Sequence, residues 1–488
     1  DMMLSEVEFI FFFPAVVLIH WLLPRRASWQ NAFLLAASYV FYLSWNAKLI
    51  PLLWAATLVD YFVGRYLGDN PEGRGRRLAL AVSLVWNLGT LAFFKYAGFF
   101  AESFNQLMTS LGLPSSLPVL RLILPLGLSY YTLQKLGYII DVYYGRQQPC
   151  RSLLTFALFT AFFPQMIAGP ISRAAALLPQ LDAPRQLDPD RVRSAGLLFL
   201  VGFTGKAYIA DFLGRMVVDP VFRNPEAFSV AGHWMGLVGY AMQVFCDFGG
   251  YSFMALAAAR FLGIELPVNF TTPFLTSSLF DFWRRWHITL NTWLFDYIYT
   301  PLSTSRSFFY GRLDAALLVT FLASGIWHGA TGTFVLWGVM QGLGLVAARR
   351  WDEFYRGLCR RDRSWVAVRK SRRYEAAGWA LTQGFFLLSL VLFRAPSVGA
   401  ALAYARGLVV ASGTALPNLL TFKNAFNLAA CLALFVAYHV LVSGAGRGLK
   451  ERFLALPAPV RGVVYGLSLV FLGLFMPAGA GAFIYGQF

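Results

Sequence analysis

The stretch Phe321-Leu-Ala-Ser-Gly-Ile-Trp-His-Gly-Ala330 sets a titratable side chain, His328, inside an apolar run. Charges gather only at the ends of the longer segment, with Arg312 and Asp314 before it and Arg349 and Arg350 after it. A segment this long and apolar reads as membrane-embedded. An imidazole at such depth is costly unless it faces a polar space, so it is a candidate functional group by default. The plainer reading is a packed histidine that hydrogen-bonds a neighbouring helix.

The rest of the chain agrees with a lipid environment. Of 488 residues, 58% are hydrophobic, 17% aromatic and only 13% charged, with a mean hydropathy of +0.57. The expected class is an all-α polytopic membrane protein, a multi-helix hollow bundle forming one transmembrane domain over residues 1–488. The net charge of +17 then reads as basic cytoplasmic loops beside anionic lipid, with no nucleic-acid partner. Cys150, Cys246, Cys359 and Cys431 are far apart and form no metal or disulfide framework. No lysine or arginine precedes the first apolar run, so residues 7–23 read as a retained span and not a cleaved signal.

Further apolar runs cover 31–47, 48–67, 78–99, 119–143, 152–170, 194–218 and 232–263. They continue over 313–330, 333–348, 376–394, 425–443 and 460–477. A span needs about 20 apolar residues, which predicts roughly ten to twelve crossings. Segment 349–375 carries ten lysines and arginines against Asp352, Glu353, Asp362 and Glu375. Together with 444–459 it is expected on the cytoplasmic side, with 395–424 and the N-terminus outside. Parity fails at 152–170, which has Arg146 and Arg151 before it and Arg173, Arg185, Arg191 and Arg193 after it. Pro164, Gly169 and Pro170 interrupt this run, and a re-entrant element lining a cavity would satisfy both flanks.

A second concentration of chemistry is Asp281-Phe-Trp-Arg-Arg-Trp-His-Ile-Thr-Leu-Asn-Thr-Trp293. As one helix it would gather Trp283, Trp286 and Trp293 mostly on one side, with Arg284 and His287 sharing a face. Two readings stay open: an interfacial helix with tryptophans at headgroup level, or an anion site whose arginines hold phosphates. Asp247-Phe-Gly-Gly-Tyr-Ser252 interrupts another apolar run, and Asp247 reads either as functional or as polar glue between helices. Neither a phosphate-binding G-x-x-x-x-G-K-[ST] loop nor H-E-x-x-H nor G-x-S-x-G occurs, which excludes the ATPase, zincin and serine-hydrolase motifs.

Read together, several of these segments resemble the membrane-bound O-acyltransferase family, and within it the bacterial alginate O-acetylase branch. The matching stretches are Leu124–Gln134 with Tyr138–Tyr143, Phe163–Arg173, Phe248–Ser252, Asp281–Asn291, Gly325–Ala330 and the tail Phe483–Phe488. The resemblance implies a hollow helical fold with re-entrant elements and a central tunnel. It implies O-acetyl transfer from cytoplasmic acetyl-CoA, a donor substrate and not a resident cofactor, to an extracytoplasmic polysaccharide such as alginate, cellulose or peptidoglycan. The family's catalytic histidine falls on His328 and its second histidine on His287. Arg284, Arg285, Trp283 and Trp286 become candidates for holding the donor. Asp247, Tyr251, Asn291 and Trp327 become candidates for the substrate path. No metal is expected. Phe253 departs from relatives that carry an acidic residue there. A multi-pass protein of the bacterial inner membrane is implied, with a periplasmic SGNH-type partner completing transfer. The alternative is a transporter or flippase of a lipid-linked sugar, which would show inverted repeats that the sequence lacks.

The chemistry suits the residues. A hydroxyl attacks poorly until a base takes its proton, and a neutral imidazole does that work near neutral pH. At about 1.5 Å per residue, His328 lies roughly 24 Å along a helix from Arg312, in a hydrocarbon core about 30 Å thick.

Overall fold

The computed structural model describes residues 2–114, 117–118, 124–306, 308–417, 421–443 and 447–477. The tail motif Phe483–Phe488 lies outside the described residues. Among those described, every element is helical apart from one isolated bridge between Phe228 and Ala415. Among the described residues, six helical stretches are long and apolar enough to cross a membrane, the first of them, Ala27–Asp69, holding two successive helices. The protein is therefore an all-helical, multi-pass membrane protein. The expected ten to twelve crossings outnumber these stretches, in part because the fold breaks some apolar runs, such as 152–170, into shorter pieces. Contacts divide the chain into two compact units, Asp1–Phe199 with Tyr251–Pro267, and Leu200–Gly250 with Val268–Phe488.

The first unit turns soluble-protein logic inside out. Helix Ala27–Asn46 buries Gln30, Asn31, Leu34, Ala37, Ser38, Phe41 and Tyr42, a stripe at spacings of three and four. Its outer face carries Trp29, Val40 and Leu43. Helix Ile50–Asp69 likewise buries Thr57 and Asp60 while exposing Trp54, Leu58 and Phe62. Apolar side chains outside and polar ones within is the arrangement lipid demands. Around Asp60 the polar interior is closely paired. Asp60 meets Lys135 at 2.9 Å, both side chains being wholly buried. Ser83 Oγ donates to Asp60 at 2.5 Å and Asn87 Nδ2 at 2.8 Å. Lys135 Nζ also donates to the Ala56 carbonyl and to Asn87 Oδ1, each at 3.0 Å.

The run 152–170 folds as two short helices, Leu153–Ala161 and Phe163–Met166. Phe162 (φ −56°, ψ 106°) leaves helical geometry ahead of Pro164, as a residue before proline tends to do. At about 1.5 Å per residue the nine-residue piece is far too short to cross. Breaking it strands the Phe159 carbonyl, and Gln134 (2.8 Å) and Gln165 (3.0 Å) donate to it. Gly127 supplies the matching turn with φ +71°, where a Cβ would stand 2.1 Å from the Met166 carbonyl oxygen. Two motif stretches, Leu124–Gln134 and Phe163–Arg173, are thus halves of one backbone repair.

In the second unit, helix Val230–Val244 runs into a π-helical turn, Phe245–Gly249. Another π-helical turn covers Thr204–Ala210. Such turns widen the helix and are common at functional sites. They bring Lys206 to 2.7 Å from Asp247 and 3.2 Å from Asp211, all three buried. The unit's centre is an antiparallel hairpin, Leu313–His328 and Gly332–Arg361. The two helices touch through glycine: a Cβ on Gly325 would lie 2.3 Å from the Phe334 carbonyl oxygen, and one on Gly338 2.5 Å from that of Phe321. At the hairpin's far end, Arg349 Nε and Arg350 Nε donate to Asp314 at 2.7 and 2.8 Å. The basic segment 349–375 is mostly helical, since Gly332–Arg361 runs into it and Ser364–Arg369 follows.

Candidate active site

His328 is the last residue of its helix. Glycine follows on both sides of the short connection, so the chain reverses directly beyond the ring. The imidazole is only 4% exposed and its walls are aromatic. Trp337 and Phe393 present edges at 5.2 and 5.1 Å between centroids, Trp327 stands at 4.9 Å, and Phe334 is stacked at 6.4 Å.

The segment 281–293 does not form the single expected helix. It is Leu279–Trp283 and Ile288–Leu294, separated by a turn at Arg284–His287. His287 sits at φ 42°, ψ 53°, the one non-glycine residue of positive φ among those described. Left-handed backbone costs an L-residue roughly 1–2 kcal/mol, so something must hold it. Asn291 does: its Nδ2 donates to the carbonyls of Trp283 (3.1 Å), Trp286 (2.6 Å) and His287 (3.2 Å). Residues 269–271 brace the other side. The Ile288 N–H donates to the Asn269 carbonyl at 2.9 Å, and the Thr271 N–H to that of Arg285 at 3.1 Å. Thr289 donates through N (3.2 Å) and Oγ1 (2.9 Å) to Asn269 Oδ1.

The broken helix changes where its side chains go. Trp283, Trp286 and Trp293 are buried at 8%, 4% and 7% exposure, which rules out anchoring at headgroup level. Trp286 packs on Phe245, Phe270, Phe274, Phe282 and Phe386. Trp283 packs on Phe321 and Trp337. Arg284 is exposed, whereas Arg285 donates to Asp281 (2.9 Å) and Thr272 Oγ1 (3.0 Å). His287 no longer shares a helical face with Arg284; it turns inward, 1% exposed. Its ring meets Phe248 edge-on at 4.6 Å and lies 5.9 Å from Trp327. Trp327 therefore touches both histidines. His287 lies outside the candidate spans, and burial pushes its pKa down to about 3. It is held as a neutral imidazole.

Of the remaining candidates, Asp247 is the buried partner of Lys206, and Tyr251, fully buried, belongs to the first unit. Sequence reasoning passed over Phe393, Trp337, Asn269, Lys206 and Asp211. The last two carried a readable signal, being charges inside the apolar run 194–218.

This geometry sets the buried His328 ring among aromatics, near the neutral imidazole of His287, in a membrane-spanning chain. It suits removal of a hydroxyl proton away from water. Comparison with known proteins gives the same class. The model of the membrane-bound O-acyltransferase family matches residues 148–391, a range containing both histidines. A probable alginate O-acetylase of Azotobacter vinelandii is 33% identical, covering 81% of this chain and 76% of that protein. A peptidoglycan O-acetyltransferase of Helicobacter pylori is 33% identical over 84% and 80%. A teichoic acid D-alanyltransferase of Streptococcus thermophilus is 28% identical over 55% and 68%. Identity of this extent, with the family's own match laid across the histidine site, makes the chain a member of the membrane-bound O-acyltransferase family and an O-acyltransferase.

Proposed function

We propose that this protein is an O-acetyltransferase of the bacterial inner membrane. It moves an acetyl group from cytoplasmic acetyl-CoA, through the membrane, toward an extracytoplasmic polysaccharide. The observation that carries the reading is the placement of His328 and His287 against one tryptophan, Trp327, both rings buried. His328 takes the proton of the attacking hydroxyl. The oxygen–carbonyl bond forms, the carbon–sulfur bond breaks, and the proton passes to the departing thiolate of coenzyme A. His287, neutral and rigidly turned, positions the reacting groups. Exposed Arg284, with Arg285 beside it, meets the donor's phosphates.

The alginate and peptidoglycan relatives, named for acetyl transfer, cover more of this chain than the D-alanyl one does, and this favours acetyl over D-alanyl. The attacking hydroxyl belongs to the polymer or to a periplasmic SGNH-type partner that completes the transfer. Membership in an acyltransferase family leaves no role for the sugar-flippase alternative.

The test is His328→Gln, measured as polymer acetylation in cells with the protein's membrane level followed in parallel. Loss of a general base costs about 10²–10⁴ in rate, so acetylation should vanish at unchanged protein level. Near-normal acetylation in the variant removes His328 from the chemistry and the proposal with it.

A further inference from the structure

Directly beside the site lie three polar groups that the chemistry above does not use. Gln341 is fully buried, and neither its Oε1 nor its Nε2 has a hydrogen-bond partner among the described residues. The same holds for the indole Nε1 atoms of Trp337 and Trp283, side chains 3% and 8% exposed. Buried polar atoms are nearly always satisfied, and exceptions call for an explanation such as a bound group. These three lie together. Trp337 touches the His328 ring, Trp283 packs on Trp337 at 5.9 Å, and Gln341 follows Trp337 by one helical turn, about 6 Å of rise.

Their order along the hairpin has a direction. From His328 the helix Gly332–Arg361 descends past Trp337 and Gln341 toward Arg349 and Arg350, which close the hairpin's basic end at Asp314. That is the end from which a cytoplasmic donor arrives. A pantetheine thioester carries two secondary amides behind its sulfur, each with one N–H and one carbonyl. Entering an apolar path, those amides need partners or the thioester does not enter. A carboxamide offers both a donor and an acceptor, and an indole N–H supplies a further donor.

We propose that Gln341, flanked by the indole N–H groups of Trp337 and Trp283, is the residue that recognises an amide of the donor's pantetheine arm and so sets the thioester at His328. The inference rests on the acetyl-CoA reading above, but it concerns the arm, which donors other than coenzyme A also carry. Gln341 is a positioning and specificity residue. It does not touch the reacting atoms.

The experiment uses the full chain in lipid nanodiscs and two soluble probes, S-acetyl-pantetheine and amide-free S-ethyl thioacetate. Thiol release gives KM and kcat, and quenching of tryptophan fluorescence gives binding. Gln341→Met removes the amide at similar volume. It should raise KM for S-acetyl-pantetheine about tenfold, the equivalent of 1.4 kcal/mol, with little change in kcat. Turnover of S-ethyl thioacetate should stay at the wild-type level, which also certifies the fold. If Gln341→Met loses both activities, Gln341→Asn decides: recovery of S-acetyl-pantetheine turnover ahead of the amide-free probe supports recognition, and equal recovery overturns it. Where Gln341→Met retains activity, an equal rise of KM for both probes, or an unchanged KM for S-acetyl-pantetheine, overturns it as well. So does failure of the wild-type protein to bind S-acetyl-pantetheine. Wild-type turnover of acetyl-CoA itself is a separate measurement that judges the donor alone.

Discussion

Replacing Asn291 by leucine should cost activity well beyond what its distance from any reacting atom would suggest. Its Nδ2 carries two hydrogens, and three carbonyls converge on them at 2.6, 3.1 and 3.2 Å. Leucine has the same number and branching of side-chain heavy atoms and no donor. Each buried carbonyl left without a partner costs roughly 1–3 kcal/mol, so losing two N–H groups costs about 2 kcal/mol at the low end. The left-handed His287 backbone stores about 1–2 kcal/mol more, which the turn recovers by relaxing. The productive turn is then disfavoured by roughly 3 kcal/mol, and at 1.4 kcal/mol per factor of ten turnover falls by about two orders of magnitude. The assay is thiol release from acetyl-CoA by nanodisc-embedded protein, run beside a thermal melt. A second background isolates the cause. With His287→Gly the positive φ is free of strain and relaxation recovers nothing, so adding Asn291→Leu should lower the melting midpoint more than it does in the wild type, where relief of strain offsets part of the loss. Wild-type turnover in Asn291→Leu, or equal midpoint losses in both backgrounds, would refute the claim that Asn291 holds this turn.

Two further outcomes follow from the same site. His287 has a pKa lowered from 6.5 to about 3, so the unfolded chain binds a proton that the native chain refuses between those values. Its contribution to stability is complete above about pH 7 and is lost as pH falls toward 3. The midpoint of thermal inactivation should therefore drop with acidification, and less steeply in His287→Phe; parallel curves contradict the assignment. Gly338→Ala places a Cβ 2.5 Å from the Phe321 carbonyl oxygen, forcing the hairpin apart at a cost of about 1–3 kcal/mol. Both melting midpoint and turnover should fall, and an unchanged pair of values would mean that the hairpin is not tightly set there.

The helical, membrane-spanning class was legible because lipid-facing surface must be apolar whatever the tertiary detail. His328 was legible for the same reason, as a polar atom set in an otherwise apolar run. The geometry of 281–293 was not. Tryptophans at positions 283, 286 and 293 fit a continuous helix, and local periodicity holds no trace of Asn291 reaching back to three carbonyls. The braces at Asn269 and Thr271 look like ordinary loop residues until the chain returns to them. Phe393 and Trp337 come to His328 from later helices, a matter of packing and not of spacing. In the run 152–170, Pro164 announced the break, but the rescue of the Phe159 carbonyl by Gln134 depends on a helix from another stretch.

The Asp60–Lys135 pair has a consequence for how the protein is made. Helix Ile50–Asp69 leaves the ribosome long before helix Leu128–Tyr143, so it meets the bilayer carrying a carboxylate whose cation does not yet exist. A charged residue at the centre of an inserting helix costs about 2.5–3.5 kcal/mol. Lys135 later brings a penalty of its own. Neither helix is therefore at home in lipid alone, and both penalties vanish together when the two meet with Ser83 and Asn87 around them. Insertion and folding of this part of the chain are thus one event, completed only when its last helix arrives.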